Sequence, residues 1–107
     1  MLLYACSERV LNTSEIDIDR ITVIFPQERL PFVDVKGGQT SSYEPVQRGV
    51  YSYAAIKLDM RGQTLDYPVI DWMGEQPLGP GRFTIKVTIN PDAPSRWEQV
   101  QTAIVRD

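Results

Sequence analysis

Residues 50–72 read V-Y-S-Y-A-A-I-K-L-D-M-R-G-Q-T-L-D-Y-P-V-I-D-W, two runs rich in β-branched and aromatic residues on either side of Arg61-Gly62. If these two form the loop of a hairpin, Met60 faces Gln63, Leu58 meets Leu65, Ile56 meets Tyr67 and Ala54 meets Val69 on one face. The other face then sets Lys57 against Asp66, an opposite-charge match, Tyr53 against Ile70 and Tyr51 against Trp72. A four-residue loop keeps the same faces, whereas a three-residue loop would put Ile56 opposite Asp66. Register parity is therefore set by the pattern, although Arg-Gly is a weaker turn signal than Asn-Gly or Asp-Gly.

Downstream, Phe83, Ile85, Val87 and Ile89 alternate with Arg82, Thr84, Lys86, Thr88 and Asn90. One face is apolar and the other polar, as expected of an antiparallel sheet covered on one side and not of a parallel sheet buried on both. Upstream, Ile21, Val23 and Phe25 alternate in one phase and Ile16 and Ile18 in the other, so a bulge or break is expected near Asp19 and Arg20. Phe32 to Lys36 is a further extended run. Gly37-Gly38 follows, and Thr40 to Val46 is read as its hairpin return, with Pro31 and Pro45 confined to strand starts or sheet edges. After the turn at Asn90 to Pro94, Ser95 and Glu98 have capping-box spacing, while Val100, Thr102 and Ile104 alternate. The expectation is a strand over Val100 to Val105, after a helical turn starting at Ser95.

Short strands at roughly 8–12-residue spacing without a long helix predict an all-β fold, an antiparallel β-sandwich of about seven strands. With 107 residues and 42% apolar side chains, the chain is expected to form one domain over residues 16–107, with residues 1–15 as a signal remnant and polar tether. The stretch P-L-G-P-G-R-F-T-I-K-V-T-I (Pro77 to Ile89) resembles the late hairpin of immunoglobulin-like or transthyretin-like modules of envelope proteins. The paired cysteines and intervening tryptophan of antibody domains are missing.

Composition excludes several functions. The absence of histidine removes the usual general base and metal ligand, and the single cysteine, Cys6, removes internal disulfides and cysteine-rich zinc sites. Fourteen acidic against eleven basic side chains, a net charge of −3, argue against nucleic-acid binding. No apolar run is long enough for a spanning helix, and Gly37-Gly38 lacks the lysine of a phosphate loop. Asp17 and Asp19 are read as surface charge, because two carboxylates do not complete a calcium site. No enzymatic activity, metal or cofactor is expected. A carboxylate pair, Asp71 and Glu75, is the remaining catalytic alternative.

Leu3-Tyr4-Ala5-Cys6 resembles the lipobox of bacterial lipoproteins, with leucine three residues before the cysteine and a small residue directly before it; Tyr4 departs from the pattern. The resemblance implies a lipid on Cys6, attachment to a membrane of the bacterial envelope facing the periplasm, and a signal upstream of Met1. The other reading of Cys6 is an incidental thiol at a frayed terminus. Tyr51, Tyr53, Ile70 and Trp72 are either an exposed aromatic patch or part of the core. Candidate binding residues are Tyr51, Tyr53, Trp72, Met73 and Glu75, the last three in the glycine- and proline-rich loop Asp71 to Gly81. The expected function is a non-enzymatic envelope lipoprotein module that binds a protein, peptide or glycan through that loop or a sheet edge. The alternative is an unlipidated, soluble homodimeric sandwich in the cytoplasm or periplasm. Asn12-Thr13-Ser14 formally matches a glycosylation acceptor.

Overall fold

The computed structural model describes residues 6–69 and 76–107. Their order is β1 (Cys6–Asn12), β2 (Ile18–Phe25), β3 (Glu28–Val35), β4 (Glu44–Val46), β5 (Ala55–Met60), β6 (Gln63–Tyr67), β7 (Gly81–Ile89), α1 (Arg96–Gln99) and β8 (Val100–Arg106). Two four-stranded sheets result, ordered β4-β1-β7-β8 and β3-β2-β5-β6. Val10, Phe83, Ile85 and Val87 from the first, and Ile21, Val23, Phe25 and Leu58 from the second, are almost wholly buried and form one core between the layers. Each such side chain contributes roughly 1.5–3 kcal/mol through loss of apolar surface to water. The all-β sandwich expected from the alternating patterns is what forms, with eight strands among the described residues.

The β5–β6 hairpin has the register read from the pattern: Met60 opposite Gln63, Leu58 opposite Leu65, Lys57 opposite Asp66 and Ile56 opposite Tyr67. Arg61 (φ 51°) and Gly62 (φ 74°) both take left-handed backbone, the geometry of a two-residue turn that follows the natural twist of the flanking strands. The ladder stops at Ile56 and Tyr67, so Ala54 and Val69 are not paired. The C-terminal reading also holds. Ser95 Oγ accepts from Glu98 N at 3.3 Å, capping the single turn α1, and β8 pairs antiparallel with β7 along its length.

The phase change near Asp19 and Arg20 is real, but it needs no inserted residue. Ile18 stays opposite Val35 and Ile21 opposite Phe32 in one continuous register. Both strands turn over together, with Asp34, across from Asp19, at φ 54°. Thus Asp19, Arg20, Val33 and Asp34 are all exposed while the pairs Ile18–Val35 and Ile21–Phe32 on either side face the core.

Three expectations are corrected. The hairpin partner of β3 is β2, through the turn at Pro26-Gln27, not the 40–46 segment. After Gly37-Gly38 the chain is captured by β1 instead: Gly38 N donates to Asn12 O (2.9 Å), Asn12 N to Gln39 O (3.0 Å) and Ser41 N to Val10 O (2.8 Å), which carries β4 into the first sheet. Gly37 passes so close to Glu15 that a Cβ would lie 2.8 Å from its backbone, hence glycine.

The second correction concerns the supposed tether, which is strand β1 from Cys6 to Asn12, in the interior of its sheet between β4 and β7. Its inward residues are Cys6, Glu8, Val10 and Asn12, and two polar members hide the alternation from an apolar count. Third, β7 is not flanked by antiparallel neighbours alone: it pairs in parallel with β1, from Cys6 opposite Gly81 to Asn12 opposite Val87. Such a pair demands a long connection, here supplied by the entire second sheet.

Asn12 ties the layers together. Its Nδ2 donates to Ile16 O (2.6 Å) and Val35 O (3.1 Å), and its Oδ1 accepts from Ser14 N (3.0 Å) and Ser14 Oγ (2.6 Å). Being fully buried, it is no glycan acceptor in the folded chain. Asn12→Ala is expected to lower the unfolding free energy by about 2–4 kcal/mol, since it strands two buried carbonyls; urea denaturation measures this, and a loss below about 0.5 kcal/mol would contradict the assigned role.

Candidate functional site

A sheet edge exposes unpaired N–H and C=O groups unless something blunts it. Three of the four edges are blunted. β4 spans only three residues, one of them Pro45. β3 contains Pro31 and the left-handed Asp34. β6 has five residues and runs into Pro68. β8 differs: V-Q-T-A-I-V-R is seven residues long, contains no proline or glycine, and carries one charge, Arg106.

Antiparallel alternation fixes which groups point outward. Asn90 N donates to Gln99 O (2.7 Å) and Asp107 N to Arg82 O (2.8 Å), so the hydrogen-bonded pairs with β7 fall on residues 99, 101, 103, 105 and 107. The N–H and C=O groups of Thr102, Ile104 and Arg106 and the C=O of Val100 therefore aim at the open side, and no partner is found for them among the described residues; the Val100 N–H closes the last turn of α1. They repeat every two residues, about 6.8 Å, the spacing of an extended polypeptide. Gln101, Thr102, Ala103 and Val105 are exposed and Ile104 is half-buried.

Both ends of this edge are held. At one end lies the capped turn α1. At the other, the Asp107 carboxylate accepts from Tyr43 Oη and from Thr84 Oγ1 (2.7 and 2.8 Å) and lies 3.6 Å from Arg9 Nε. The guanidinium groups of Arg9 and Arg82 sit 4.7 and 5.5 Å from the Tyr43 ring centre, a cation–π arrangement. The Tyr43 and Thr84 hydrogen bonds hold the Asp107 carboxyl below its usual range, and the bond to Asp107 raises the Tyr43 phenol. Arg106 lies over Phe83 at 5.1 Å and donates to Leu78 O at 2.6 Å. An edge fixed in this way loses little further conformational freedom when a strand is added.

The residues singled out from the sequence do not gather into one site. Tyr51 is half-buried, packs on the core and tilts against Phe25 at 5.8 Å between ring centres. Tyr53 is half-buried. Ile70, Asp71, Trp72, Met73 and Glu75 lie outside the described residues. Cys6 is buried and its Sγ donates to Gly79 O at 3.2 Å. Asp17 and Asp19 are exposed, with Asp17 accepting from Gly37 N at 2.9 Å. No group of three or more acidic or cysteine side chains suited to a metal ion occurs among the described residues. No helix of the described chain is long and apolar enough to cross a membrane.

No family model matches the chain, and no curated protein or solved structure matches it either.

One functional group escaped the sequence reading. Glu8 is fully buried on β1, and neither carboxyl oxygen has a hydrogen-bond partner among the described residues. Burial, with a smaller contribution from the Glu28 carboxylate, pushes its pKa from 4.5 up to about 8. The folded chain thus keeps this proton at neutral pH whereas the unfolded chain releases it. Stability from this group is fully present below pH 4.5 and is lost as pH rises through 8, at up to about 1.4 kcal/mol per pH unit between those values. Glu8→Gln, which is neutral throughout, is expected to flatten that dependence: between pH 5 and 8 the wild-type urea midpoint falls and the variant's falls much less. Parallel curves would refute the buried acid.

Proposed function

We propose that this chain is a non-enzymatic binding module that takes an extended segment of another polypeptide as an added strand along β8. The observation that supports this reading is the contrast among the edges. Three are short or interrupted by proline, and the fourth offers the outward groups of Thr102, Ile104 and Arg106 and the C=O of Val100 on a strand anchored at both ends. Strand addition draws affinity from main-chain hydrogen bonds and selectivity from alternate side chains. Here those are Gln101, Ala103 and Val105 on the outer face and Thr102 and Ile104 on the inner one. A lipid on Cys6 and an envelope location form no part of the proposal.

Linear peptides selected from a phage-displayed library against the protein test the proposal. Bound peptide is expected to slow amide exchange at Thr102, Ile104 and Arg106, with little change at residues 101, 103 and 105, which are already bonded to β7. Thr102→Pro removes an outward N–H and no β7 bond, so it is expected to weaken peptide binding at least tenfold while shifting Tm by only a few degrees. Peptides that bind the proline variant equally well, or that protect other amides, would overturn it.

A further inference from the structure

We infer that the strand accepted at this edge is β8 of a second copy of this chain, antiparallel about a two-fold axis through Ala103. The inference rests on the strand-addition reading and names the partner.

Hydrogen-bond parity comes first. An antiparallel pair bonds only where outward-facing residues of both strands stand opposite one another. That restricts two copies of β8 to registers pairing Val100, Thr102, Ile104 and Arg106 among themselves. Of these, the register centred on Ala103 sets Val100 against Arg106 and Thr102 against Ile104, and then back again, so every outward group of both copies finds a partner except the Arg106 C=O, which faces the Val100 N–H that α1 already engages. Moving the centre to Thr102 leaves Arg106 unmatched, and moving it to Ile104 leaves the Val100 C=O unmatched and sets the bulkier Ile104 against its own copy.

The side chains agree with the same register. A residue on a two-fold axis must face its own copy, and here this is a non-hydrogen-bonded position, where Cα atoms approach to about 4.5 Å. Ala103, small, uncharged and exposed, occupies it. Val105 meets Gln101 on the outer face and Ile104 meets Thr102 on the inner one, which shields two apolar side chains that are exposed or half-buried in the single chain. The charge of Arg106 stands opposite Val100 and away from its symmetry mate. The chain as a whole carries −3, yet the edge brings no like charges into direct opposition. The product is one continuous sheet, β4-β1-β7-β8 followed by the same order reversed, in which, among the described strands, the one edge neither short nor interrupted by proline disappears.

Sedimentation velocity on the 107-residue chain from micromolar to near-millimolar concentration tests this. A concentration-dependent dimer is expected, reduced to monomer by Thr102→Pro. Ala103→Glu and Ala103→Lys each place like charges on the axis from the solvent face and are expected to weaken self-association about fivefold. An equimolar mixture of the two should regain a dimer at least as tight as the wild type's, which a merely destabilised fold would not do. A wild type that stays monomeric, or a dimer indifferent to these changes, overturns the inference. If that monomer still binds a selected linear peptide with protection at Thr102 and Ile104, self-pairing alone fails; if it binds none, strand addition fails too.

Discussion

The parallel ladder between β1 and β7 holds the first sheet together. Without β1, that sheet would be the β7–β8 hairpin alone, since the three residues of β4 pair only with β1. β1 also carries Val10 and Cys6 into the core and receives the 38–41 segment on its free side. A parallel pair closes a large loop, and closure is entropically unfavourable until the contacts on both sides form. Here the loop is the second sheet itself, so both layers and the long-range ladder stabilise one another.

That arrangement explains why polar side chains sit inside. Where β1 leaves the sheet, Asn12 satisfies carbonyls from Ile16 and Val35 that no ladder reaches, and so joins the end of one layer to the end of the other. Glu8 has the opposite character: a carboxyl in the same inward row with no hydrogen-bond partner among the described residues, which lowers its cost by keeping its proton. One polar group makes the junction specific, and the other makes the interior sensitive to pH.

The same topology decides where another chain can dock. Among the described residues β8 lies outside β7 at the sheet edge, and Tyr43, Thr84, Arg9 and Asp107 fasten its end to the rest of the sheet. Its bare edge follows from position, not composition. The same seven residues between two strands would be an ordinary interior member.

Alternation alone determined β5–β6 down to residue pairing, because a slip by one residue would expose Leu58 and bury Lys57. It likewise determined β7, while the missing N–H of proline placed Pro31 and Pro45 at edges and the capping-box spacing gave the turn at Ser95 before β8. Local patterns of this kind are readable because each residue's preference is set by neighbours two positions away. Only tertiary structure decided that Cys6 to Asn12 is a strand and that residues 44–46 join the other sheet. It also decided that Glu8 lies in the dark of the core and that β8 is left open. Those outcomes depend on which distant strand stands alongside, and an inward Glu8 or Asn12 carries no periodic hydrophobic signal to announce its burial.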